Sequence, residues 1–88
     1  DLSVSWEKLG NVRQAQGDLA GALAAYEAGH AIAARLAASD PGNAGWQRDL
    51  AISWERIASA REEQGERAAA LDAWRRALAI FITFPAGS

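Results

Sequence analysis

Asp1-Leu2-Ser3-Val4-Ser5-Trp6-Glu7-Lys8-Leu9 returns 48 residues further along as Asp49-Leu50-Ala51-Ile52-Ser53-Trp54-Glu55-Arg56-Ile57. The register then holds without a gap. Gln16-Gly17 falls on Gln64-Gly65, Ala22-Leu23 on Ala70-Leu71, Tyr26 on Trp74, and Ala31-Ile32 on Ala79-Ile80. A self-match this long decides the architecture before any propensity is weighed. The chain is two copies of one unit, 1–40 and 44–88, joined by a turn at 39–43, within a single domain spanning 1–88.

Each copy reads as two helices. Leu2, Trp6, Leu9 and Val12 recur at the helical period, predicting a first helix over 2–16. Gly17 supplies the permissive backbone of a turn, and Asp18 is placed to cap a second helix over 19–38. Ser39-Asp40-Pro41-Gly42-Asn43 is turn chemistry, with Pro41 presetting φ and Gly42 allowing a positive φ at the third position. Asn43 caps a third helix over 44–64, whose apolar face is Trp46, Leu50, Trp54, Ile57 and Ala58. Gly65 breaks it, and a fourth helix runs to Thr83, ended by Pro85 and Gly87. The expected fold class is all-α, two stacked antiparallel helix hairpins.

Within each copy, Trp6-x2-Leu9-Gly10 with Gly17-Asp18, Ala22, Tyr26 and Gly29 parallels Trp54-x2-Ile57-Ala58 with Gly65-Glu66, Ala70, Trp74 and Ala77. This pattern resembles the tetratricopeptide repeat (TPR), whose signature is W-x2-L-G-x2-Y followed by small and aromatic positions in the second helix. The resemblance covers nearly the whole chain. It departs at Arg13 and Arg61, where the family carries an aromatic, at Ala58 in place of Gly, and in a period of 48 rather than 34. The stretched period is similar to longer bacterial variants and kinesin-light-chain-type repeats. The first copy lacks a counterpart of Gly45-Trp46-Gln47-Arg48, and the chain holds no methionine, so it is expected to begin inside a repeat of a longer protein.

The resemblance implies a right-handed superhelical array whose first helices line a concave, peptide-holding groove. The groove positions carry over as Val4, Glu7, Asn11 and Gln14 in copy one, and Ile52, Glu55, Ser59 and Glu62 in copy two. Each set shares one helix face. Chaperone-cofactor members of the family hold a C-terminal carboxylate there with Lys, Asn and Arg. Here Glu7 and Glu55 replace the key lysine and only Asn11 fits, which implies a neutral or basic peptide.

Composition narrows the function classes. The 88 residues carry a net charge of -2 and a pI near 5.2, with no clustered basic face for nucleic acid. Alanine supplies 22 residues, a composition for closely packed helices. No cysteine is present, so disulfides and thiolate metal sites are excluded. No apolar run approaches the roughly 18 residues of a membrane span, and no leader is visible; the expected location is the cytoplasm. A chain this short buries only about 60 to 65% of its unfolded surface.

Catalytic signals are weak. His30 stands alone, opposite Leu78 in the other copy, and reads as a packed helix residue. Glu62 and Glu63 diverge by about 100° on a helix and do not converge on one substrate; with Glu55 and Glu66 they read as a solvated face. Arg75-Arg76 is too short for a nucleic-acid patch, and the glycine spacings match no phosphate loop. Trp6, Trp54 and Trp74 fall at repeat-equivalent core positions, while Trp46 is open to either reading. No enzyme activity, cofactor or metal is expected.

The end of the stack is a second candidate site. Ala79-Ile80-Phe81-Ile82-Thr83-Phe84 replaces the smaller, more polar Ala31-Ile32-Ala33-Ala34-Arg35-Leu36, and exposed Phe81, Ile82 and Phe84 would form an apolar patch that something covers. The sequence therefore points to a non-catalytic protein-interaction or assembly module with a protein or peptide partner. A homo-oligomer joined through its repeat ends is the alternative.

Overall fold

The structure, a computed structural model, describes residues 2–84. Four helices follow in order: α1 (Leu2–Ala15), α2 (Leu19–Ser39), α3 (Ala44–Glu63) and α4 (Arg67–Thr83). The described residues contain no strand. The fold is all-α: α1 pairs with α2 and α3 with α4 as two hairpins, and the hairpins stack chiefly through α2 against α3. α1 touches α3 along one edge only, and α4 meets neither α1 nor α2. Pro85 and Gly87, expected to stop the last helix, lie outside the described residues.

The hairpin turns are built identically. Gly17 and Gly65 both adopt φ +82°, the left-handed region that an L side chain resists. The N–H of Asp18 donates to the Arg13 carbonyl (2.9 Å), and that of Gly17 to the Gln14 carbonyl (3.0 Å). Glu66 to Arg61 (2.9 Å) and Gly65 to Glu62 (3.0 Å) repeat the pattern. These paired bonds satisfy carbonyls that a helix C-terminus otherwise leaves without partners.

Helix starts differ more. Asp18 caps α2 by accepting from the Gly21 N–H (3.0 Å), and Asn43 caps α3 by accepting from the Trp46 N–H (3.0 Å). Glu66 makes no side-chain cap and pairs with Arg61 instead (3.0 Å). At the inter-hairpin turn the Asn43 N–H donates to the Asp40 carbonyl (3.0 Å). Gly42 does not take the positive φ expected of it; the turn uses Pro41 without a left-handed residue.

Small side chains dominate the packing. Apart from Tyr26 and Ile57, every buried apolar residue is alanine, on α2, α3 and α4. Such seams bring helix backbones close together and bury little area per residue. Tyr26 is the largest fully buried side chain, and Gly10 makes room for it: a methyl at Gly10 would overlap the phenol ring. Tyr26 also lies in the central cluster with Ala22, Ile57, Ala58, Ala60 and Ala73, flanked by Leu23 and Trp54. One aromatic ring therefore fills both its own hairpin and the junction to the next.

The expectation for the tryptophans needs correction. Trp54 is half-buried at the junction, but Trp6 is 38% exposed and Trp74 36%. Among the described residues no further hairpin packs against the outer side of either.

Candidate functional site

The eight groove positions lie on the paired first helices, α1 and α3. Helical periodicity sets Glu7 and Gln14 on the α1 edge nearest α3, where three polar contacts clasp the helices together. Arg56 Nε donates to Glu7 Oε1 at 3.1 Å. Gln14 Nε2 donates to Ser59 Oγ at 3.2 Å and to Glu63 Oε1 at 2.8 Å. Below them the Tyr26 hydroxyl lies 2.7 Å from both Asn11 Oδ1 and Gln14 Oε1, and its single proton serves one at a time. Burial raises the phenol pKa above its ordinary value; Arg56 opposes the rise, and Glu7 and Glu63 add to it.

The expected groove set therefore divides in two. Glu7, Asn11, Gln14 and Ser59 are engaged within the protein, Glu7 by an ion pair that cancels its charge. Ile52 and Glu55 are partly exposed, and Val4 and Glu62 exposed. The acid expected at Glu7 is thus absent as a net charge, whereas Glu55 and Glu62 remain on the face. A cavity of about 20 Å³, room for one water, lies at the seam between Glu7, Tyr26, Asp49, Ser53 and Arg56. It is too small for a substrate.

Arg56 is the residue that sequence reasoning passed over, and Glu63, read as part of a solvated face, is instead bonded to Gln14. A usable signal exists: acid-base order is kept between copies, Glu7-Lys8 against Glu55-Arg56.

His30 sits at the α2–α3 junction. Its ring lies 4.2 Å from that of Trp54, tilted by 60°, and its Nδ1 is 2.8 Å from Ser53 Oγ. The Ser53 hydroxyl donates to the Leu50 carbonyl (2.6 Å), so it accepts from the imidazole, which carries its proton on Nδ1. Burial lowers the His30 pKa; Glu27 opposes this and Arg76 reinforces it. Arg76 also stands 5.1 Å above the Trp54 ring, a cation–π distance. A wider open cleft of about 390 Å³ runs between α2 and α4 over Trp54. On its walls Arg61 is paired with Glu66 and Asp72 with Arg76, and the one hydroxyl placed beside His30, that of Ser53, is buried and turned to the Leu50 carbonyl. Among the described residues no group of three His, Asp or Glu is placed to hold a metal, and no helix is long and apolar enough to cross a membrane.

The ends carry the exposed apolar surface. Among the described residues, all nine exposed large apolar side chains lie on α1 or α4, and none on α2 or α3. On α1 they are Leu2, Val4, Trp6, Leu9 and Val12. On α4 they are Leu71, Trp74, Leu78 and Ile82. Of the expected end patch, Ile82 is 70% exposed, but Phe81 and Phe84 are partly covered. The patch at that end therefore runs back along α4 through Leu78, Trp74 and Leu71 instead of gathering at the chain's tail.

No family model matches the chain, and no curated protein matches it.

Proposed function

We propose that the chain is a non-catalytic protein-interaction module whose α1/α3 face takes a neutral or basic peptide. The observation that supports this is the clasp itself. Glu7–Arg56 and Gln14–Ser59 hold the two first helices side by side as one preorganised surface. Glu55 and Glu62 stand on that surface beside the apolar Val4 and Ile52, so a ligand there meets carboxylates along with apolar contact. Specificity comes from repelling acidic segments as much as from attracting basic ones.

Titration of the dilute protein with basic, neutral and acidic ten-residue peptides, followed by amide chemical shifts, tests the reading. Binding of the basic peptide with shifts on α1 and α3, lost in Glu62→Arg, is the expected result. Tighter binding of the acidic peptide, or shifts confined to the α2/α4 cleft, sinks it.

The confinement of exposed apolar residues to α1 and α4 favours a second role, assembly through the ends of the stack. Within the TPR resemblance both roles belong to a repeat array, bacterial in type, serving as a scaffold.

A further inference from the structure

The internal junction shows what the two ends lack. Leu23 and Tyr26 of α2 pack in one cluster with Trp54 and Ile57 of α3, and His30 lies against Trp54. Shifted by 48, Leu23, Tyr26 and His30 become Leu71, Trp74 and Leu78, all exposed on α4. Shifted back by 48, Trp54, Ile57 and Ala60 become Trp6, Leu9 and Val12, all exposed on α1. The α4 end repeats the outer face of α2, and the α1 end repeats the receiving face of α3. The chain therefore carries both halves of a joint that it already makes once.

We propose that this protein stacks on itself head to tail, α4 of one copy seated on α1 of the next as α2 seats on α3. The inference rests on the assembly reading above and commits its occupant to a second copy. Charge complementarity favours that occupant. The Glu7–Arg56 pair shifts to Glu55 of one copy and Lys8 of the next, acid facing base again. Gln14 and Ser59 shift to Glu62 and Asn11, an acceptor facing an amide donor. Where the internal joint sets imidazole on indole, the joint between copies sets Leu78 on Trp6, an apolar pairing with no titratable group. Trp74 takes the place of Tyr26 and adds area.

The contact is heterologous, so every added copy leaves one α1 face and one α4 face open. Growth is open-ended, unlike a closed dimer. Each joint also engages Glu55 and Glu62, so in the stacked form these carboxylates stay open to a ligand only on the copy whose α4 end is free.

Sedimentation equilibrium of the whole chain from micromolar to millimolar concentration tests this, with circular dichroism confirming that each variant stays helical. The weight-average mass is expected to climb past that of a dimer. Leu78→Glu is expected to abolish the climb. Lys8→Glu is expected to weaken association about tenfold, the size of replacing an exposed attraction by a repulsion, and Lys8→Glu with Glu55→Lys to restore it. Leu78→Glu keeps an intact α1 end, so adding it to the native protein is expected to cap open α4 ends and lower the weight-average mass. A mass that levels at a dimer and ignores Lys8→Glu overturns head-to-tail stacking while leaving assembly through the ends standing. A monomer at millimolar concentration overturns both.

Discussion

Tyr26 and Trp74 hold the same place in the two hairpins and live in different surroundings. Tyr26 is 2% exposed and Trp74 36%. Both hairpins close through the same turn, though Tyr26 seats over Gly10 where copy two has Ala58. What also differs is the next hairpin: α3 covers Tyr26, and nothing among the described residues covers Trp74. In a quasi-one-dimensional stack, burial belongs to the junction rather than to the unit.

Truncation is the strongest way to break that comparison. Tyr26→Ala is expected to cost about 3–5 kcal/mol, the range for a large aromatic removed from a core. That is a large part of the total stability of a domain this size. Trp74→Ala is expected to cost less than half as much in urea denaturation of dilute protein. Equal losses would show that the two hairpins are packed alike in solution.

Gly10 sharpens the comparison one step down. Its copy-two equivalent, Ala58, already carries a methyl and is fully buried. Gly10→Ala is expected to destabilise by about 1–3 kcal/mol, because the new methyl must displace the Tyr26 ring. Gly10→Ala in a Tyr26→Ala background is expected to be neutral or stabilising, and an unchanged penalty there would assign the cost to something other than the ring.

The helix starts give a smaller contrast. Asp18→Ala removes a side-chain cap and is expected to cost about 1 kcal/mol. Glu66→Ala removes only a largely exposed ion pair and is expected to cost about 0.5 kcal/mol or less. Thermal midpoints measured side by side read the difference.

The smallest effect is in pH. His30 has a folded-state pKa below its unfolded value of about 6.5, chiefly from burial. The unfolded chain therefore binds the proton more readily. The stability His30 contributes is present above pH ~6.5 and is lost as pH falls through the folded value. The urea midpoint is expected to fall between pH 7.5 and pH 5 more steeply in the native protein than in His30→Gln. Identical slopes would mean the imidazole titrates as if unfolded.

Much of the fold was legible because it depends on local chemistry repeated in register. Gly17 and Gly65 announce the left-handed turns, and Asp18 and Asn43 announce their caps, since each effect spans only a few residues. The exposure of Trp6 and Trp74 was not legible. An apolar stripe shows that a face packs well, not whether a partner stands opposite it. The end patch was not fully legible for the same reason: residue size marks Phe81 and Phe84, but exposure follows the α4 stripe at Leu71, Trp74 and Leu78. Four of the eight groove positions proved to be engaged internally, because helical spacing places Glu7 and Gln14 on a shared face without showing how near α3 lies. Gly42 was misjudged because its composition suits turns both with and without a positive φ.

The alanine seams also bear on mechanics. Helices that meet through ridges of single methyl groups present little relief, and shallow ridges set crossing angles only loosely. Tyr26, seated over Gly10 and clustered with Ile57, is the largest fully buried peg in the junction among the described residues. A load that tilts one hairpin against the other falls on that peg, on Trp54 with His30 beside it, and on the Glu7–Arg56 and Gln14–Ser59 contacts at the edge. The two hairpins are therefore held by a few discrete rivets rather than by the full length of their seams.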